Sequence, residues 1–422
     1  MITVLKTCTF LFLTLALVFS LKKIYYSKAT LIHFVYCIFF VFYGLPIIMD
    51  VLFGVPRNDF FVGYSLVQQD LLTNVVYCVQ LILVVIIWFT RVGKTNTSFN
   101  PKDITVKPNQ IKVLYLLVLS PLVFVLFAPY PAMYLKYGVI ITQVFDSRIS
   151  SYHNFLSILT IVSVISAAVL LLLRKNLSFK YLVLISFYII PSLWINGKRY
   201  ILAQTIVLFI IVLYQKGFLT KKRMIIVFLV TITVMFSFSF IYQINFNRTN
   251  NSIQDLYANY RIDYARDNSL KLTLYHELHS EEKVLEYRFQ SILFNLTLFI
   301  PREFWSGKPY PYAVYMTAKA LGLQYIEYLG WGVTTGIIDE IISNIGLLGM
   351  LIAPFIIKLL CNFGDRQGPI IKLLTFFVVT LLLIVELSSF GFIFYGWLLM
   401  LVINKLYRRM FYYQEVNRWK EL

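Results

Sequence analysis

The sequence is short of charge. Only 14% of its 422 residues are Asp, Glu, Lys or Arg, about half the share of a typical soluble domain, which excludes a conventional water-facing surface. Cysteine is nearly absent. Cys8, Cys37, Cys78 and Cys361 lie scattered in apolar segments without metal-type spacing, so they read as small buried hydrophobes and imply no disulfide framework. No internal repeat, coiled-coil heptad or low-complexity tract is evident. What is there is apolar: 59% of the chain is hydrophobic, with a mean hydropathy of +0.74.

Apolar runs of bilayer-crossing length recur along the chain. About eleven spans (ten to twelve) are expected, at 2–20, 31–53, 71–90, 111–128, 155–173, 179–195, 201–215, 224–244, 336–360, 371–385 and 388–404. The chain therefore predicts an all-α polytopic membrane protein. The first run has the position of a signal peptide but no basic n-region or small-residue cleavage site, and is kept as a span. Basic residues cluster in alternate connections, among them Lys22-Lys23, Arg91 with Lys94, Arg174-Lys175, Lys221-Lys222-Arg223, Arg366 and Arg408-Arg409. Nearly all of the formal net charge of +18 falls on that face. By the positive-inside rule these loops are cytoplasmic, and the charge is a topology signal that calls for no nucleic acid. The chain then divides into an amino-terminal bundle at 1–244, a large external loop at 245–335, and a carboxyl-terminal membrane segment at 336–422 ending in a cytoplasmic tail.

The external loop is too long to be a mere connection. Ile253, Leu256, Tyr257, Tyr260 and Tyr264 recur at helical spacing, which predicts a helix lying in the interface. Ser280, with Glu281 and Glu282, predicts the start of a second helix running to Pro301. From Pro301 the chain stiffens: Pro309 and Pro311 follow, and the loop carries Arg302, Lys308, Trp305, Tyr310 and Tyr312. A guanidinium outside the membrane matches phosphate oxygens, and Arg148, Arg199, Arg302 and Lys308 lie near expected external ends of spans, where the alternative is snorkelling to headgroups. The aromatics could stack on sugar rings or belong to an interfacial belt. Asp339, Glu340, Ser343 and Asn344 lie in an otherwise apolar helix, as a general base facing an aqueous cavity or as an interhelical hydrogen-bond cluster. His276 and His279 are three apart around Glu277. Two histidines without a third ligand make a weak metal site, which leaves a solvated role or service as a base. Gly346 and Gly349 read as a close-packing pair, and Glu386 as a turn residue. No metal or cofactor is called for.

Pro301-Arg302, Trp305 and Lys308-Pro309, followed by Gly332, Gly336, Glu340, Asn344 and Gly346, resemble the carboxyl-terminal pattern of bacterial oligosaccharide repeat-unit polymerases, the Wzy-type O-antigen and capsule polymerases. The layout of spans, basic inner loops and a large late external loop is similar too, as is an Arg at the position of Arg199. The resemblance implies a glycosyltransferase at the periplasmic face of the bacterial inner membrane. It would join repeat units carried on undecaprenyl diphosphate, with a chain-length regulator and a flippase as companions. It further implies Arg302, Arg199 and Arg148, with Lys308 in second rank, on the diphosphate. Trp305, Tyr310, Tyr312 and Asn344 would line the substrate site, and Glu340 would be the base with Asp339 and His276 in reserve. The rivals are a lipid-linked oligosaccharide flippase and an O-antigen ligase-type transferase.

Overall fold

The computed structural model describes residues 2–56, 60–90, 108–137, 147–219, 253–279, 282–323 and 331–420, with a few isolated positions between these segments. Among them the chain is helical and contains no strand. Eight helices are long and apolar enough to cross a bilayer: Ile2–Tyr25, Leu31–Phe53, Leu71–Phe89, Pro108–Phe127, Arg148–Leu173, Phe179–Asn196, Ile337–Asp365 and Leu387–Leu406. Two shorter apolar helices, Tyr200–Gln215 and Pro369–Ile384, coincide with further expected spans, and 224–244 falls outside the described residues. By these helices the chain is a multi-pass membrane protein.

Chain contacts group into two units, one of Met1–Thr95, Ser252–Gln367 and Thr375–Leu422, the other of Asn96–Asn251 and Gly368–Leu374. The second unit contains the helices Pro108–Phe124, Ser147–Leu173, Phe179–Asn196 and Arg199–Gln215. Ser178 caps the third of these by accepting from Tyr181 N at 3.3 Å, and Gly197 ends it with φ +70°.

The first unit is built around a distortion in its second span. Helix α1 (Leu31–Phe39) opens into a π-turn at Phe40–Gly44 before resuming as α2 (Leu45–Phe53). Pro46 has no N–H to offer the carbonyl of Phe42, four residues back. That orphaned oxygen accepts from Arg266 N at 2.9 Å. The neighbouring carbonyls are also taken from outside the span: Tyr77 Oη donates to Tyr43 O at 2.6 Å and Tyr260 Oη to Val41 O. The bulge thus converts backbone groups of one span into anchor points for other elements.

The element anchored there is α3 (Asp267–His279). The interfacial reading of this region does not extend to it. Asp267, Ser269, Leu270, Lys271, Leu272, Thr273 and Leu274 are all buried, and α3 packs against α4 (Val62–Gln69), α5 (Leu71–Phe89), α6 (Tyr312–Leu321) and α7 (Ile337–Ile345). Its charges are enclosed with their partners. Asp267 Oδ2 lies 2.6 Å from Arg261 Nη1 and 2.9 Å from Lys271 Nζ, and Asp50 Oδ2 is 3.6 Å from the same guanidinium. Lys271 also donates to Gln68 Oε1 at 3.0 Å, and Tyr257 Oη donates to Asp50. Burial alone would push the Asp267 carboxyl up, but Arg261 and Lys271 outweigh it and hold it below the usual aspartate range.

One sequence expectation needs correction here, and another needs a refinement. The helix expected from 280 to Pro301 is only Gln290–Leu296. Phe289, at φ +65°, breaks any helical entry, and the Gln290 side chain instead takes Glu286 N on its Oε1 at 2.9 Å. The span expected at 336–360 is present as Ile337–Asp365, with a break inside it. Gly346, at φ +75°, ends α7, and α8 (Gly349–Asp365) begins so close that a Cβ on Gly349 would fall 2.6 Å from Ile342 Cα.

Candidate functional site

The 301–311 loop of the first unit is held by its own cations. Prolines leave carbonyls without in-loop partners, and Arg302 supplies donors: Nη1 to Lys308 O and Nη2 to Pro309 O, both at 2.7 Å. Its guanidinium lies over the Tyr310 ring, 4.0 Å from the centroid. Lys308 Nζ donates to Ile300 O at 2.8 Å and Leu298 O at 3.2 Å, above the Phe294 ring. Burial, with the charge of Arg302 beside it, draws the Lys308 ammonium below its usual range. Both cations expected on phosphate therefore first fold the loop. A guanidinium has five N–H donors, so Arg302 keeps three beyond these ties.

Beside the loop lies a cavity of about 710 Å³, lined by Arg302, Ser306 and Lys308 of the loop, by Glu282, Lys283 and Glu286 of the segment before it, and by Tyr287, Tyr310, Tyr315 and Tyr325. That volume is in the range of small-ligand sites. Its walls are tied to one another. Lys319 pairs with Glu282 at 3.0 Å, Gln290 Nε2 donates to Glu286 Oε2 at 2.8 Å and to Tyr315 Oη at 2.9 Å, and Tyr315 Oη accepts from Tyr310 N at 3.0 Å.

His276 stands directly behind this wall. Its Nδ1 is 3.0 Å from Glu282 O, and Lys283 Nζ donates to the His276 carbonyl at 3.1 Å. A carbonyl only accepts, so Nδ1 carries the proton and Nε2 is the basic nitrogen. Burial pulls the imidazole below the usual histidine range and keeps it neutral, the Glu282 carbonyl only partly offsetting it. His279 does not join it: its Nε2 pairs with Asp70 Oδ2 at 3.0 Å. Among the described residues no three His, Cys, Asp or Glu side chains are placed to hold a metal ion.

The carboxylates of α7 face into the bundle and do not wall the cavity. Asp339 Oδ1 accepts from Gly336 N at 2.9 Å and caps its own helix. Glu340 Oε1 accepts from Ser291 Oγ at 2.8 Å and Asn295 Nδ2 at 2.9 Å. Asn344 Nδ2 donates to Ser291 Oγ and to Glu340 O. Tyr312 is 1% exposed, its hydroxyl between Ser343 Oγ at 2.8 Å and Thr273 Oγ1 at 3.0 Å. Glu386, read from sequence as a turn residue, is buried and accepts from Ala313 N at 2.7 Å, capping α6 from a distant part of the chain.

The structure thus brings Arg302, Lys308 and Tyr310 to one cavity, with Trp305 on the same loop but outside the lining and His276 bonded to the lining residues Glu282 and Lys283 without lining it. It gathers Asp339, Glu340, Asn344 and Tyr312 into a separate hydrogen-bonded cluster. Arg148 is exposed at the start of its helix and belongs to the second unit, as does Arg199, whose side chain lies outside the described residues. Tyr287, Tyr315, Tyr325 and Glu286 were not singled out by sequence, because tyrosines are common throughout this chain and nothing local marks these. Asp50 could have been noticed as a carboxylate inside the apolar run Leu45–Phe53. Compared with family models, with curated proteins and with solved structures, the chain matches none.

Proposed function

We propose that this is a polymerase of undecaprenyl-diphosphate-linked oligosaccharide repeat units, for O-antigen or capsular polysaccharide, acting at the periplasmic face of the bacterial inner membrane. The observation that carries the reading is the tyrosine-walled cavity beside Arg302, set in the long connection between apolar spans. Tyrosine offers an apolar face to sugar C–H groups and a hydroxyl to sugar oxygens. In the reaction the bond from the donor's anomeric carbon to the diphosphate oxygen breaks, and a bond from that carbon to an acceptor sugar hydroxyl forms. The hydroxyl proton goes to a base, and undecaprenyl diphosphate leaves with its charge. His276 Nε2 is the base this geometry favours. Glu340, tied to Ser291 and Asn295, and Asp339, which caps its own helix, stand in reserve. Arg302 and Lys308 supply positive charge for an anionic group.

A second reading has one observation in its favour. The enclosed group of Asp50, Arg261, Asp267 and Lys271 is the arrangement expected of a transporter's interior, as in a lipid-linked oligosaccharide flippase. A null strain separates the two. The polymerase reading expects single repeat units still exported and attached, a ladder cut to one rung. Loss of all surface repeat units, with intermediates trapped on the inner leaflet, supports the flippase.

A further inference from the structure

Resting on the polymerase reading, we infer that the cavity beside Arg302 selects an acidic saccharide, gripping an anionic substituent on a sugar of the repeat unit. The argument starts from which donors the protein has already used. Lys319 is committed to Glu282, and Lys283 to the carbonyls of His276 and Glu277. Glu286 is committed to Gln290. Arg302 keeps three of its five donors after Lys308 O and Pro309 O are served, and because both ties are to neutral carbonyls its charge is not cancelled by a carboxylate as that of Lys319 is.

Those remaining donors are preorganised. Two carbonyl ties and the Tyr310 ring fix the guanidinium plane, so little rotamer freedom is left to lose when an anion arrives. Lys308, whose ammonium serves two carbonyls, adds a second positive charge on the same wall, and the Ser306 hydroxyl adds a neutral donor. The lining also holds Glu282, paired with Lys319, and Glu286, tied to Gln290, whose remaining lone pairs can accept from sugar hydroxyls. A cavity lined by a fixed guanidinium, a hydroxyl, paired carboxylates and four tyrosines fits a sugar chain carrying one acidic group. The anion could come from a uronate carboxylate on the sugar or from the diphosphate of the carrier. The tyrosine faces favour the sugar.

The test uses the full chain in lipid nanodiscs and reads binding, which is independent of polymerisation. Tetragalacturonate, its fully methyl-esterified form and inorganic pyrophosphate are titrated, with calorimetry as the readout. The expected result is at least about tenfold tighter binding of the acid than of the ester, one charge-assisted contact's worth, with pyrophosphate failing to displace it. Ser306→Ala, which leaves both carbonyl ties of Arg302 in place, should weaken the acid and leave the ester unchanged. Failure of the acid to bind more tightly than the ester, whether both bind or neither does, overturns the inference. Displacement by pyrophosphate at equal concentration overturns it too, by assigning the site to the carrier's diphosphate. A protein that binds the acid selectively but whose null strain exports no repeat units would keep this inference and sink the polymerase reading.

Discussion

Arg288 holds Glu277 by both carboxylate oxygens, Nη1 to Oε1 and Nη2 to Oε2, each at 2.7 Å. The carboxylate is 3% exposed while the guanidinium is 40% exposed, so the acid is the committed partner. Nη1 also donates to Ser343 O at 2.8 Å, and Phe289 N to Asn344 O at 3.3 Å. One side chain therefore joins the end of α3, just past His276, to the end of α7, and it does so from the segment that walls the cavity.

Arg288→Ala should destabilise the folded protein by about 2 kcal/mol, since it strands a buried carboxylate. Arg288→Lys should recover part of that, keeping the charge but losing the paired geometry. Thermal unfolding in detergent measures both. An alanine variant as stable as wild type would show that Glu277 finds water instead.

The charged interior makes a larger claim. Asp267→Asn leaves Arg261 and Lys271 buried with only Asp50 opposite, a loss of about 3–5 kcal/mol. Because the folded Asp267 carboxyl is held below its unfolded value, its contribution is complete above that unfolded value, near pH 4. It is lost as the pH falls through the folded one. Acid unfolding of wild type and variant should therefore converge at low pH and separate above about pH 4. Parallel curves would contradict the pairing.

These charges show where sequence reading stops. The apolar spans were legible because length and hydropathy decide them locally. Gly346 and Gly349 were visible as close-packing residues, though not as a break, because a break depends on φ +75° and on the approach of Ile342. Helix α3 was opaque for another reason. Asp267 and Lys271 look solvated until the turn after Arg261 folds its guanidinium back onto Asp267 and Asp50 arrives from elsewhere in the chain. Of the site, Arg302 and Tyr310 could be read from a proline-stiffened loop. Tyr315 and Gln290 could not, since only folding brings them to it.

The same loop makes Arg302→Lys informative. A lysine cannot serve Lys308 O and Pro309 O from one plane over Tyr310, nor present a fork to an anion. Under the polymerase reading it should lose about a hundredfold in polymerisation, and Arg302→Ala nearly all of it, with membrane abundance unchanged. Wild-type chain lengths in the lysine variant would remove the fork from the mechanism.

His276 predicts the acid limb of the rate. Under the polymerase reading neutral Nε2 is the active form, and burial holds the imidazole below the usual histidine range, so activity should persist through neutrality and fall only on the acid side of that range. His276→Gln should remove that limb and cost about 10²–10⁴-fold in rate. An acid limb unchanged in the variant would assign the base elsewhere, with Glu340 next to be tested.

The most direct measurement is made on the purified chain alone, reconstituted into liposomes with undecaprenyl-diphosphate-linked repeat units on the leaflet it faces. The polymerase account predicts products of two and more units, with one undecaprenyl diphosphate released for each bond formed. Repeat units that change leaflet but never lengthen would contradict it.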